Sequence, residues 1–417
     1  MKILHVLRRA QYVSWIPVAA ILSLVSICIN PFVKVRFDLV PMRFGTMLSY
    51  QIFDILNDER SQISQRERRP EIRLSALESP VANRFIYRWF GGLAGWVPIP
   101  RSLMIPTLWI LRKLRPGRPL IRRGLNQAEL ISTYFHEPIT DLPAEARELA
   151  ARVKWSVPQI ANRRTYALIV REEGDLLSKQ LMTLAGTRAG NRHAVINRFR
   201  NCSIESYRLA IDSLVSRDAA VIRVGNHTDR SLHCSTNHYW EYANSEFCSD
   251  VGDVAVASLA DACISCSTGL ELLYRLLDKP VFGVNVPWVD SNYRWMKFVL
   301  PKHPFVNIGT HEIELPLIEL AGPECDWSKG IPLWKGVGVE FRDNTPEEIC
   351  EALLLADKFL SDTSFEALER ELCKPLWSEF WQRAARGNMR SDQTVEFPTI
   401  ALPMSARARF FEVNRAI

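Results

Sequence analysis

Tyr166-Ala-Leu-Ile-Val170 is a continuous apolar run closed by Arg171, and Ala219-Ala-Val-Ile-Arg-Val224, closed by Gly225, has the same character. Short runs of this kind suit strands buried on both faces, the condition of a parallel sheet. Between them Ser203 opens a helical pattern with Ile204, Tyr207, Ile211 and Leu214 spaced three and four apart and Val215 beside them. The alternation continues downstream. Asp250 opens a helix through Ala262, Cys263–Cys266 reads as a strand, and Ser267-Thr-Gly269 turns into a helix over Leu270–Asp278. Pro280–Val286 is the next strand, and Thr345-Pro-Glu-Glu348 has capping-box spacing with Pro at the first helical position, starting a helix through Phe359. Strand and helix alternating in this way imply a parallel sheet with right-handed crossovers. Ligands of such sheets bind at the carboxyl ends of strands, here Arg171, Arg223–Gly225, Ser267–Gly269 and Asn285.

Upstream, Phe32–Val40 alternates apolar and polar residues as a half-buried strand does. Pro41-Met-Arg-Phe-Gly45 turns out of it, and Thr46–Asn57 reads as the following helix, the opening βα unit of a first α/β domain. Pro143–Val153 is a helix with Asp141 as its expected N-cap. A chain of 417 residues is too long for one ordinary core. The expected division is a hydrophobic segment over 1–33, a first domain over 34–160, a second over 161–375 and a helical tail over 376–417 packed back on the first.

Charge and hydrophobicity are unevenly spread. Tyr12–Val33 is 22 residues without a charge, about 33 Å as helix and long enough to span a bilayer. Lys2, Arg8 and Arg9 precede it, Lys34 and Arg36 follow it, and Pro17 and Pro31 interrupt it. A spanning anchor, a helix lying in the interface, a hydrophobic hairpin and a buried core helix all fit. From Ser79 to Ala128 there is no Asp or Glu but nine Arg and Lys, interleaved with Trp89, Trp96 and Trp109. The whole chain carries +6, so the remainder is net negative. Arginine among aliphatics and tryptophan suits a membrane surface, and no nucleic-acid motif accompanies it, so nucleic acid is not an expected partner. Nine cysteines, an odd number in a chain this long, form no staple framework. Cys263-x-x-Cys266 lacks a second pair and fits a buried strand in a reducing compartment.

Ser267, Thr268 and Gly269 lie between a strand and a helix start, where backbone N–H groups, the helix dipole and two hydroxyls favour an anion. An ordinary helix cap uses the same residues. Arg171 at a buried strand end is placed to neutralise a diphosphate; a salt bridge to Glu172 or Glu205 is its structural alternative. Arg198, Arg200 and Asn201 lead into the Ser203 cap and can line the same cleft. Glu172, Glu173 and Asp175 are the carboxylates available to take a proton there. No Asp-x-Asp, HExxH, Walker loop or G-x-S-x-G occurs, and Gly336-Val-Gly338 is not completed as a dinucleotide loop. His227, His233 and His238, with Cys234 among them, have no standard metal-site spacing. Neither a metal nor a cofactor is expected.

Arg198-Phe-Arg-Asn-Cys-Ser-Ile-Glu-Ser-Tyr-Arg-Leu-Ala-Ile-Asp212 followed by Val221-Ile-Arg-Val-Gly225 resembles the core of a bacterial glycosyltransferase-like family of surface-glycan loci. Tyr242–Ser245, Ser249-Asp250, Ser267-Thr-Gly-Leu270, Lys279-Pro-Val281 and Asp343–Ile349 match its further motifs in order, with weaker matches at Arg43–Gly45 and Ala82-Asn-Arg84. More distantly the family resembles fucosyltransferase-like enzymes. The resemblance implies a GT-B-like α/β fold of two facing Rossmann-type domains with parallel sheets. It implies a donor site in the second domain, where the strand-end and cleft residues Arg200, Asn201, Arg223, Gly225, Ser267, Thr268, Gly269 and Asn285 are expected to form it, with an acceptor side expected at Arg43, Gly45 and Thr46. The implied reaction moves a sugar from a nucleotide-diphosphate sugar to a hydroxyl of a lipid-linked or surface-glycan acceptor. It needs no metal, and because sugar nucleotides are made in the cytoplasm it is expected at the cytoplasmic face of the inner membrane. The family has His where this chain has Thr46 and Ile169. A degenerate member that binds a sugar nucleotide or glycan without turnover is the alternative.

Overall fold

The computed structural model describes residues 14–29, 34–40, 71–77, 83, 85–86, 88–89, 96–98, 101–114, 141–172, 199–225, 231–232, 237–287, 296–320, 324–326, 332–362, 364 and 382. The chain divides into two compact units, Met1–Tyr134 and Phe135–Ile417.

In the first unit, α1 (Ile16–Ile29) precedes β1 (Lys34–Val40), β2 (Glu71–Leu77), β3 (Trp96–Pro98) and α2 (Arg101–Leu114). The strands form a parallel sheet in the order β1-β2-β3, with Lys34 opposite Glu71 and Arg73 opposite Trp96. The expected strand is therefore present, while the expected helix over Thr46–Asn57 lies outside the described residues. α1 packs against α2. The Ser23 hydroxyl donates to Ala19 O (2.7 Å) and reaches Thr107 O across the helix pair (3.4 Å). α1 has 14 residues, about 21 Å of helix. Among the described residues no helix is long and apolar enough to cross a membrane.

The second unit opens with α3 (Ala144–Ser156), whose buried Ala146, Ala150 and Val153 form one face. Asp141 does not cap it. Pro143 takes the cap position without a side-chain bond, and Asp141 instead pairs with exposed Arg147 at 3.5 Å. There follow β4 (Thr165–Ile169), α4 (Arg208–Val215), β5 (Ala220–Val224), β6 (Tyr239–Glu241), α5 (Asp250–Leu259), β7 (Ala262–Ser265), α6 (Glu271–Leu276), β8 (Val281–Val286) and β9 (Met296–Pro301). α3 packs against α5, so it belongs to this unit, and the division falls before it, at 134/135, rather than at 160/161. Six strands pair in the order β6-β5-β4-β7-β8-β9, every pair parallel.

From β4 the chain winds outward through β5 and β6, then crosses back to lay β7, β8 and β9 on the other side. This is the doubly wound order, with its reversal between β4 and β7. β4, β5, β7 and β8 are buried at every residue, as expected of a sheet covered on both faces. Alternation along the strands sends Tyr166 and Phe282 towards α7 (Pro346–Ser361): Tyr166 donates to Asp357 at 2.7 Å, and Phe359 stacks at 6.2 Å on Phe282 and 6.1 Å on Phe298. α7 carries the expected capping box, Thr345 accepting from Glu348 N and Glu348 from Thr345 N. Beyond β9, β10 (His303–Ile308) pairs antiparallel with β11 (His311–Glu314) and with the strand Glu340–Arg342. The tail over 376–417 lies outside the described residues except for Gln382.

Candidate functional site

The reversal point brings together two loops far apart in sequence. β4 runs out through buried Val170 into Arg171, and β7 runs out into Cys266 and Ser267. Their backbones stay joined past the last ladder pair: Cys266 N–H donates to Ile169 O (3.2 Å) and Arg171 N–H to Cys266 Sγ (3.1 Å). On its other side, Arg171 O accepts from Cys202 N–H (2.8 Å), drawing in the segment that carries Arg200 and Asn201. Arg200 Nε then donates to Ser267 O at 2.6 Å. The bond uses one edge of the guanidinium; the Nη pair is the edge that suits bidentate contact with a phosphate. Ser267 is held in the left-handed region at φ 69°, a conformation that costs a non-glycine residue energy and recurs at functional loops. The Arg171 backbone, the Arg200 side chain and Ser267, expected to line one cleft, thus meet at one place.

The backbone at that loop differs from the expectation. Thr268 N–H does not point outward; it donates to Glu271 Oε2 at 2.8 Å, and the Ser265 hydroxyl donates to the same oxygen. Glu271 is 2 % exposed. Burial pushes its carboxyl up to about 7, against the opposing pull of the Ser265 and Thr268 bonds and the charge of Arg200. α6 has only six residues, so a helix dipole contributes little there, and the positive charge beside the loop is that of Arg200.

Two buried thiols lie beneath the loop. Cys202 and Cys266 hydrogen-bond to each other, which with the Arg171 N–H and the charges of Lys302 and Arg200 brings the Cys266 thiol down to about 7, while that of Cys202 is pushed up. Both are core residues, as expected of Cys266, but Cys266 pairs with a thiol 64 positions upstream and not with Cys263. Lys302, 3 % exposed, holds the Asn201 end through Asn201 O and Asp343 Oδ1, both at 2.5 Å.

At the neighbouring strand end the predicted residues are engaged within the fold. Arg223 is 1 % exposed and lies between two carboxylates, Glu172 at 2.6 Å and Glu241 at 3.1 Å. The second oxygen of Glu172 accepts from Ile204 N–H (3.3 Å), so both of its oxygens are occupied. Glu205 pairs with Arg208 at 2.8 Å. Gly225 has φ 147°, and a Cβ there would meet nothing within 4 Å, so backbone geometry and not close approach calls for glycine. Asn285, expected at the donor, is fully buried: its Oδ1 accepts from Asn344 N and Nδ2, each at 2.8 Å, and its Nδ2 donates to Tyr207 at 3.4 Å. It ties β8 to the start of α7. Glu173, Asp175, Arg198, Arg43, Gly45, Thr46, His227, His233 and Cys234 lie outside the described residues. Among the described residues no group of three His, Cys, Asp or Glu side chains is placed to hold a metal.

Glu271, Glu241, Lys302 and the Cys202–Cys266 pair were not singled out from sequence. Only Glu271 had a local signal, since Thr268-x-x-Glu271 has capping-box spacing. The others depend on strand order. Comparison with protein-family models, with curated proteins and with solved structures finds no match to this chain.

Proposed function

We propose that this chain is a glycosyltransferase of GT-B type that takes a nucleotide-diphosphate sugar as donor and a hydroxyl of a lipid-linked or surface glycan as acceptor. The observation that carries the proposal is the meeting of Arg171, Arg200 and the Ser267 loop at the reversal point of a doubly wound parallel sheet, where such sheets take nucleotides. In the reaction, the acceptor oxygen bonds to the anomeric carbon as the bond from that carbon to the diphosphate oxygen breaks. The departing diphosphate gains charge, and arginines preorganised against it stabilise that change. The sequence has no Asp-x-Asp pair to hold a bridging metal, so compensation falls to arginine. The donor is made in the cytoplasm, which puts the reaction on the cytoplasmic side of the inner membrane. The resemblance of Arg198–Asp212 and Val221–Gly225 to a surface-glycan transferase family supports the reaction class.

A second reading, a binding protein without turnover, has two observations in its favour. Glu172, the candidate base among the described residues, has both oxygens engaged, and Ile169 stands where the resembling family has His. Saturation-transfer NMR over uridine, guanosine, thymidine and cytidine sugar nucleotides tests both. A donor signal that disappears in Arg200→Ala, with release of the free nucleotide in the presence of acceptor glycolipid, is expected of the transferase. The same signal without release selects the binding protein. No signal from any sugar nucleotide overturns the transferase and the sugar-nucleotide binder, leaving only a glycan binder.

A further inference from the structure

The outer surface of the N-terminal helix pair has the composition of a lipid-facing surface. Ala19 and Ser23 turn α1 towards α2, and on the remainder Ile16 (45 %), Val18 (43 %), Ile21 (63 %), Leu24 (56 %) and Val25 (47 %) are exposed. α1 contains no charged residue. α2 adds Trp109, 62 % exposed, with Lys113 also exposed nearby. In water such an array is unfavourable, since contiguous aliphatic surface of this kind belongs against another apolar phase.

Charge identifies that phase. Residues 1–37 contain no Asp or Glu and five Lys or Arg; residues 79–128 contain none and nine. Both helices therefore lie in stretches of one sign. A second copy docked through the same two stretches would bring like charge together, which opposes self-association. A nucleic acid would meet the arginines but offers no hydrocarbon to the aliphatics. An anionic bilayer satisfies both, with acyl chains for Ile21 and Leu24, the headgroup boundary for Trp109 and phosphates for the basic flanks.

We propose that α1 and α2 form a platform that seats the N-terminal unit on an anionic membrane surface. The inference goes beyond the transferase proposal and does not rest on it, because vesicle binding requires no nucleotide.

Flotation of the full chain with vesicles tests it, comparing phosphatidylcholine alone with phosphatidylcholine carrying about one third phosphatidylglycerol. The expected result is binding to the anionic vesicles, weaker binding to the neutral ones and weakening by salt. Ile21→Asp with Leu24→Asp is expected to lower anionic-vesicle binding by about tenfold or more. Leu209→Asp, at an exposed leucine of α4 in the other unit, is expected to leave it unchanged. If circular dichroism shows that the double variant has lost structure, Trp109→Ala at its exposed site replaces it, with the same direction expected. Undiminished flotation of the folded variants would overturn the proposal. So would light scattering that shows wild-type dimers becoming monomers in the double variant while vesicle binding persists.

Discussion

Arg223, within β5, and Arg171, just past β4, stand on adjacent strands of one sheet, and the uses proposed for the same side chain are opposite. Arg223, at the end of β5, is enclosed by Glu172 and Glu241 and nearly inaccessible. Arg171, just past the end of β4, lies where the chain reverses direction across the sheet, with the Ser267 loop and Arg200 beside it. A strand-end arginine is therefore not by itself a ligand site. Beside carboxylates it closes a strand end; at the reversal point, beside a second arginine and a strained loop, it is the arginine proposed to receive an anion.

The largest expected effect breaks the closed half of this comparison. Arg223→Met leaves Glu172 and Glu241 without their buried cation, and breaking a buried pair in this way costs about 3–5 kcal/mol. Chemical denaturation checks it. Arg200→Ala, by contrast, is expected to change stability by less than about 1 kcal/mol, because the side chain is half-buried and its described bond is to one backbone carbonyl.

The next effect tests the role proposed for Arg171, which is itself 9 % exposed. Arg171→Ala is expected to lower turnover by about 10²–10³-fold, the usual loss when one preorganised donor to a developing charge is removed. Near-normal turnover in a folded variant would remove Arg171 from the site.

Glu271 sharpens the comparison through pH. Its carboxyl titrates near 7 in the fold against 4.5 when exposed, so the folded chain holds an extra proton between those values. Stability then falls as pH rises from about 4.5 to about 7, by on the order of 1 kcal/mol for each pH step of one, and is level above. Glu271→Gln, which keeps an acceptor for Thr268 N–H, is expected to flatten this slope in thermal melts across that range. An unchanged slope would show that Glu271 is not the group responsible.

The smallest expected effect is none at all: turnover unchanged by EDTA, since no Asp-x-Asp pair is present. Loss of activity restored by manganese would contradict it.

Much of the C-terminal unit was legible because its strands are buried on both faces. Tyr166–Val170 and Pro280–Val286 need no partner to be recognised, and the capping box at Thr345 marks its helix by local chemistry alone. The edge strands were not read: Tyr239–Glu241 has three half-buried residues, and Met296–Pro301 is interrupted by Lys297 and ends in proline. Strand order, set by which faces pack together, has no local signal. It decides that β7 and not β5 shares the reversal point with β4, and so which predicted residues meet. For the same reason Asn285 read as a ligand residue, although its partner Asn344 lies 59 positions away in sequence.

The central claim is that the ligand sits at the carboxyl ends of β4 and β7. A crystal structure of the chain with a nucleoside diphosphate tests it most directly. The expected result is a diphosphate against Arg171 and Arg200, beside Ser267. A diphosphate bound at the end of β5, or away from the sheet's carboxyl edge, would contradict it.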